Sequence, residues 1–218
     1  MRPRLLAVAI VFGLGLVRSA DAQTCFGQAG YRTTKIRVGG SVDVGDGYTG
    51  LGGSVGTGKE NGLFGSVGLG YISPSFGDGG IAIGGMVGYE LEKPIGDRLR
   101  LCPFGGITHY SGDAFGAGSA DDFALGATVG YPVNPDASGD VKVVLVGSYT
   151  GVFERYSVGS PGFGGGHADE WYGAVDAGVG FIIKGNLSLN PGVRVYVRYG
   201  GGRDPSLVLR GSYGIGTR

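Results

Sequence analysis

One of the two histidines in this chain lies next to a serine that it could activate. His109 and Ser111 are two residues apart, so in a β-strand both side chains point to the same face. A serine hydroxyl becomes a nucleophile when a nearby base takes its proton, and histidine is a common base. Such a pair also needs a third group that orients the histidine, and no suitable glutamate follows downstream. We therefore expect His109 to be an ordinary polar residue and the chain not to be an enzyme.

Two pairs of opposite charges could neutralise each other. Glu90 and Arg100 lie on neighbouring segments, and so do Asp176 and Arg194. Each of these charged residues has an apolar residue on both sides. In a strand, this alternation places the charge on the face opposite to the apolar one. We expect both pairs to form on one shared interior face.

Cys25 and Cys102 are the only cysteines. We expect residues 1–22 to be an export signal, as described next, and disulfides persist in the oxidising compartments beyond the inner membrane. Cys25 precedes the first predicted strand and Cys102 lies near the start of a later strand that rises from the same side. We expect the two residues to meet at one end of the fold and to form a disulfide.

Residues 1–22 have the pattern of a signal peptide. Arg2 and Arg4 precede an apolar stretch from Leu5 to Val17, and Ala20-Asp21-Ala22 matches the A-x-A cleavage pattern. We expect residues 23–34 to be a periplasmic N-terminal segment and residues 35–218 to form a single domain. The net charge of zero, with scattered basic residues, argues against nucleic acid as a partner.

The elements that must hold these residues are strands with two different faces. Alternate residues are apolar from Leu187 to Tyr199, from Phe123 to Tyr131 and from Trp171 to Ile183. Segments that suit tilted membrane strands, roughly nine to eleven residues or slightly more, number about ten. They are 35–44, 48–57, 63–73, 80–92, 98–110, 121–133, 141–153, 170–183, 187–199 and 205–216. The first two are diluted by glycine, and omitting them leaves an alternative count of about eight.

This pattern is repeated along the chain after the predicted export signal, and it predicts an all-β fold. We expect a closed, antiparallel, up-and-down transmembrane β-barrel whose apolar face lies in lipid. A secreted sandwich would alternate too, but it would bury the apolar side between two sheets. Aromatic residues of the apolar face lie near both strand ends, as in the interfacial girdles of membrane barrels. They are Tyr71, Phe123, Phe153, Trp171 and Tyr199 at one end, and Tyr89, Tyr131, Phe181 and Tyr213 at the other.

From about residue 31 to residue 216, the chain resembles the small outer-membrane β-barrel superfamily of Gram-negative bacteria, with its OmpA-like and OmpW-like barrels. The resemblance implies a location in the cell outer membrane, with outer-membrane lipid and the barrel-assembly machinery as partners. Such barrels commonly end on an aromatic residue, whereas this chain ends on Thr217-Arg218. The His-x-Ser triplet at 109–111 also resembles that of outer-membrane lipid A deacylases, although Gly112 stands where that family has asparagine.

The sequence favours a non-enzymatic barrel with a structural or surface-interaction role and no cofactor. Small barrels have interiors filled largely by side chains, so we expect the charge pairs to plug the lumen. An extracellular ligand would bind at the long loops 111–120 and 154–169. One alternative is a narrow channel for small solutes, which inward glycines would leave open. The second alternative is a lipid A-modifying hydrolase that uses His109 and Ser111. The inward glycines that would leave the channel of the first alternative open are Gly84, Gly88, Gly126, Gly130, Gly178 and Gly180.

Overall fold

The computed structural model describes residues 24–29, 34–58, 62–75, 78–95, 98–112, 118–134, 140–160, 163–198 and 204–217. These residues form strands joined by turns, and no helix among them is long and apolar enough to cross a membrane. The predicted signal peptide, residues 1–22, lies outside the described residues. Of the predicted N-terminal segment 23–34, the structure describes residues 24–29 and 34.

The described residues form two antiparallel sheets, one large and one small. The small sheet is a hairpin of β1 (Thr24–Cys25) and β2 (Gln28–Ala29). The strands of the large sheet are β3 (Thr34–Gly45), β4 (Tyr48–Gly58), β5 (Leu63–Pro74), β6 (Gly80–Tyr89), β7 (Leu91–Ile95), β8 (Leu99–Ser111), β9 (Ser119–Pro132), β10 (Val141–Ser160), β11 (Phe163–Ile183), β12 (Leu187–Arg198) and β13 (Ser206–Thr217).

The large sheet closes into a barrel. Each strand pairs with its neighbour in sequence, and β3 pairs with β13 from Thr34↔Thr217 to Val44↔Leu207. Because β6 and β7 both pair with β8, they are two parts of one interrupted strand, and the barrel has ten strands. This confirms the predicted all-β barrel and its count of ten. The alternative of eight is wrong, because the glycine-rich β3 and β4 pair from Ile36↔Thr57 to Gly45↔Tyr48 and β3 forms the closing seam.

Two strands extend further than their sequence indicates. β10 and β11 pair continuously from Val141↔Ile183 to Val158↔Gly166 and meet again at Ser160↔Phe163. The prediction of a long loop at 154–169 is therefore wrong, because most of this segment forms a two-stranded extension of the barrel wall. In the other predicted loop, 111–120, Ser111 ends β8 and Ser119 begins β9, while residues 113–117 lie outside the described residues.

The outer face of the barrel is apolar and the inner face is polar. Leu125 is 75% exposed, Trp171 69% and Val67 65%, and all three lie on the outward side of their strands. Charged side chains such as Arg37 and Asp176, which alternate with apolar neighbours, are buried inside. A sandwich would reverse this arrangement by burying the apolar side between two sheets. The structure therefore excludes the sandwich that alternation alone had left open.

The two ends of the barrel differ. We call the end where β3 begins and β13 finishes the terminal end, and the opposite end the loop end. The hairpin β1–β2 lies inside the barrel in its terminal half, where Thr24, Cys25 and Ala29 have no solvent exposure. The lumen is thus filled at one end by the chain's own N-terminal segment.

Candidate functional site

The hairpin inside the lumen has a two-residue turn that requires an unusual backbone. Phe26 and Gly27 connect β1 to β2, with φ angles of 54° and 67°. Positive φ at both central positions is the requirement of a type I′ turn, which suits the twist of a tight hairpin. Phe26 is not glycine, so this conformation is costly for it. Its ring packs edge-on against Phe104 of β8, with centroids 5.9 Å apart, and this contact helps to hold the turn.

The hairpin is attached to the barrel wall by one covalent bond and several hydrogen bonds. The predicted disulfide joins Cys25 to Cys102 on β8, with Cα atoms 5.3 Å apart. The Gly27 amide donates to Thr128 Oγ1 on β9 at 2.9 Å. The Ala29 amide donates to Asn190 Oδ1 on β12 at 3.0 Å. These attachments reach three separate strands, so the hairpin crosses the lumen and does not lie along one wall.

Inward glycines on the wall make room for the hairpin. A Cβ atom on Gly88 would lie only 2.8 Å from the Cys25 sulfur, and one on Gly180 would lie 2.6 Å from the Ala29 Cβ. A Cβ atom on Gly130 would run into the side chain of Thr24. Real Cβ contacts are longer than this, so any side chain at these positions would displace the hairpin. These glycines were candidates for leaving a passage open. In the structure, the space beside them is filled by the hairpin.

A network of charges lies above the hairpin, towards the loop end. Asp176 Oδ1 accepts from Arg194 Nε at 2.9 Å and from Arg210 Nη2 at 3.0 Å. Arg194 Nη1 also donates to Asp43 Oδ2 at 3.3 Å, and Arg210 Nη1 donates to the Gly27 carbonyl at 3.4 Å. Two carboxylates and two guanidinium groups balance each other, as buried charges require. The network joins strands β3, β11, β12 and β13 to the hairpin.

The structure brings together one of the two charge pairs proposed from the sequence. Asp176 and Arg194 are in contact, whereas no ion pair between Glu90 and Arg100 is among the described contacts. Gly88 is opposite Phe104 and Leu91 is opposite Leu101, so the register places Glu90 across from Cys102. Parity in the sequence places Asp43 and Arg210 on the same inward face as Asp176 and Arg194, but sequence reasoning did not assign them to a charge pair.

The lumen contains a cavity of about 380 Å³ that is lined in part by the charge network. Phe26 and Gln28 of the hairpin form part of its lining, at the terminal end of the cavity. One side is a small-residue wall on strands β3 to β6, formed by Ser41, Gly52, Ser54, Gly68, Ala82 and Gly84. The other side is an aromatic wall, formed by Tyr110, Tyr172 and Tyr196 together with Asp122. Asp176, Arg194 and Arg210 of the charge network also line the cavity, so its lining holds two carboxylates and two guanidinium groups beside the tyrosine rings.

The residues of the proposed hydrolytic pair lie on the outside of the barrel near the loop end. His109 and Ser111 are both exposed, on the face that also carries the apolar residues. His109 Nδ1 lies 2.7 Å from Asp121 Oδ1 on β9, so a carboxylate orients the imidazole. No hydrogen bond between His109 and Ser111 is among the contacts of the described residues. The sequence places Asp121 close to His109 along the chain, but only the β8–β9 register shows that the two side chains meet.

Aromatic side chains form a cluster at the loop end of the outer face. The rings of Phe123 and Phe153 have centroids 6.2 Å apart, and those of Phe153 and Trp171 have centroids 4.8 Å apart. Tyr89 and Tyr213 are about half exposed nearer the terminal end. The positions of these five residues match the two girdles predicted from the strand ends, while Tyr199, which was also predicted there, lies outside the described residues.

Comparison with protein-family models gave no match, and neither did comparison with curated proteins. Among solved structures, the N-terminal β-barrel domain of Pseudomonas aeruginosa OprF is 8% identical, with 84% of this chain and 100% of that chain covered and a TM-score of 0.42. The KdgM porin is 10% identical, with 82% and 99% covered and a TM-score of 0.43. The Neisserial surface protein A is 16% identical, with 84% and 99% covered and a TM-score of 0.38. The fold assignment rests on the strand pairing itself, and resemblance to OmpA-like or OmpW-like barrels in particular stays a prediction.

Proposed function

We propose that this chain is an outer-membrane β-barrel with a non-enzymatic, structural or surface-interaction role, whose lumen is closed by its own N-terminal hairpin. The outward apolar face supports a location in lipid, because arginine or lysine at the midplane of that face would cost about 2–4 kcal/mol. The predicted export signal and the disulfide support a location beyond the inner membrane. By this proposal, the terminal end faces the periplasm and the loop end faces the exterior.

The observation that carries the proposal is the burial of residues 24–29 across the lumen. The hairpin is held by the Cys25–Cys102 bond, and the Arg210 contact to the Gly27 carbonyl joins it to the charge network. The prediction from sequence was that side-chain charges would plug the lumen and that the disulfide would hold the N-terminal segment across its opening. The structure adds a backbone element that occupies the same space, and this supports closure over conduction.

Conductance in planar lipid bilayers tests the proposal. We expect the wild-type protein to show no steady current, and the double variant Cys25→Ser/Cys102→Ser to show intermittent openings. The variant keeps the hydrogen bonds of the hairpin but loses its covalent attachment. A reducing agent should produce the same openings in the wild type and should have no effect on the variant. Steady current through the oxidised wild type would instead support the alternative of a narrow channel for small solutes.

A hydrolase that acts on outer-membrane lipid is the second candidate, and one observation favours it. The Asp121 carboxylate on His109 supplies the orienting group that the sequence had not shown. Mass analysis of lipid A from cells that express the wild type or Ser111→Ala tests this candidate. Loss of an acyl chain that depends on Ser111 would support the hydrolase and contradict the non-enzymatic role.

A further inference from the structure

We infer that Asp176 is a latch that keeps the N-terminal hairpin seated in the lumen, and that it acts through Arg210. The inference rests on the proposed function, in which the hairpin is the plug, and it assigns the residue that holds the plug closed. The disulfide fixes the hairpin at Cys25, the residue before the turn. Beyond Cys25, the contacts that the structure shows between the hairpin and the wall are hydrogen bonds and ring packing.

The turn of the hairpin needs outside contacts to keep its shape. Phe26 has a φ angle of 54°, in the left-handed region that residues with a side chain seldom adopt. Strained backbone of this kind persists only where the surrounding structure imposes it, and it is concentrated at clamps and switch regions. The contacts that the turn makes with the wall therefore decide whether the hairpin stays closed.

Gly27, the second residue of the turn, rests on two side chains of the wall. Its carbonyl accepts a hydrogen bond from Arg210 Nη1 at 3.4 Å, and a Cβ atom on Gly27 would lie 3.5 Å from Ser148 Oγ. The same carboxylate binds both side chains. Arg210 Nη2 donates to Asp176 Oδ1 at 3.0 Å, and Ser148 Oγ donates to Asp176 Oδ2 at 3.1 Å. Asp176 thus positions both groups that touch Gly27.

The two carboxylates of the charge network differ in their control of the hairpin. Arg210 makes an ion pair with Asp176 and with no other carboxylate among the described residues. Arg194, by contrast, is bound by both Asp176 and Asp43. Neutralising Asp176 would leave Arg210 buried without a counter-ion, which is costly and favours movement of the guanidinium group away from Gly27. Neutralising Asp43 would leave Asp176 bound to both arginines.

The latch also faces the cavity in the lumen. Ser148, Asp176 and Arg210 line this cavity together with Phe26 of the turn. A solute in the cavity would therefore contact the latch directly. Release of the turn leaves Cys25 bound to Cys102, so the closed and released forms of the hairpin interconvert without reduction of the disulfide.

Amide hydrogen exchange, measured by NMR on the mature, oxidised protein in detergent micelles, tests the latch. The amides of Gly27 and Ala29 donate to Thr128 and Asn190, so their exchange reports whether the hairpin is seated. We expect Asp176→Asn to speed the exchange of both amides at least about fivefold, because hydrogen bonds to charged groups are the strong ones. Thiol labelling of the denatured, unreduced protein verifies that the disulfide is intact in every variant.

A matched control and a second variant accompany Asp176→Asn. Asp43→Asn removes the same charge from the same network and should change the exchange of the two amides less than about twofold. Arg210→Met removes the latch from its other side and should speed the exchange as Asp176→Asn does. It leaves Asp176 paired with Arg194, so it decides the matter even if Asp176→Asn does not fold. The double variant should exchange no faster than Asp176→Asn alone, because both changes remove one shared contact.

Three results would overturn the inference. They are equal effects of the two aspartate variants, unchanged exchange of Gly27 and Ala29 in Arg210→Met, and faster exchange in Asp176→Asn that is as large in the barrel wall as in the hairpin. Conductance is measured separately. Steady current through the oxidised wild type contradicts the proposed function, whereas the exchange of Gly27 and Ala29 decides the role of Asp176.

Discussion

Gly88 on β6 is one of the glycines that make room for the hairpin, and Gly85 on the same strand provides a matched control. Gly88 faces the disulfide sulfurs, whereas Gly85 faces outward and a Cβ there would meet its nearest atom at an ordinary 3.5 Å. We expect Gly88→Ala to destabilise the protein by about 1–3 kcal/mol, as overpacking does, and to lower the yield of the disulfide. Thiol labelling of the denatured, unreduced protein measures that yield.

Gly85→Ala is the control and should leave both the stability and the disulfide unchanged. If Gly88→Ala formed the disulfide as completely as the control, the placement of the hairpin against β6 would be wrong. At a glycine, sequence alone cannot distinguish space that is left empty from space that another segment fills. The six inward glycines suggested a passage for this reason.

Parity predicted which charged residues point inward, but it could not choose their partners. Asp176 and Arg194 are neighbours across β11 and β12, and local pairing was enough to suggest their contact. Arg210 reaches Asp176 from β13, two strands away, and Asp43 reaches Arg194 across the closing seam. Contacts of that kind depend on the curvature of the barrel. The alternation of residues along a strand gives no information about that curvature.

At the scale of strands, the sequence was most informative where both faces were distinct. The predicted segment 187–199 corresponds to β12 (Leu187–Arg198), and 205–216 corresponds to β13 (Ser206–Thr217). The sequence did not predict the full length of β10 and β11, because the glycine and polar residues near 157–166 have the composition of a loop. The hairpin at 24–29 was not foreseen either, since strands of two residues show no alternation.

The outward stripe of β9 provides a second matched pair. Leu125 is 75% exposed on the outer face near the middle of its strand, while its neighbour Ala124 lines the cavity. Leu125→Arg should cost about 2–4 kcal/mol or prevent assembly, whereas Ala124→Arg should be milder because the cavity is polar. The fraction of heat-modifiable protein in the membrane reports the difference. Equal tolerance of the two substitutions would contradict a lipid-facing outer surface.

For the whole molecule, the proposed orientation can be tested with two turns at opposite ends. Asp46-Gly47 joins β3 to β4 at the loop end, and Lys184-Gly185-Asn186 joins β11 to β12 at the terminal end. Surface turns tolerate insertions well. We expect an epitope inserted at residue 46 to be labelled by antibody on intact cells. The same epitope at residue 185 should be labelled only after the outer membrane is permeabilised, and the reverse pattern would overturn the orientation.

The closing seam also constrains the order in which the protein can be made. β3 and β13 are the first and last strands of the barrel, so no enclosed lumen exists until the final strand has joined. Both cysteines belong to the first half of the chain, and their bond closes a covalent ring that contains β2 to β7 and the first residues of β8. An oxidase can therefore reach the thiols on the open chain before the last strands arrive. During biogenesis, the remaining strands would then wrap around a plug that is already in place.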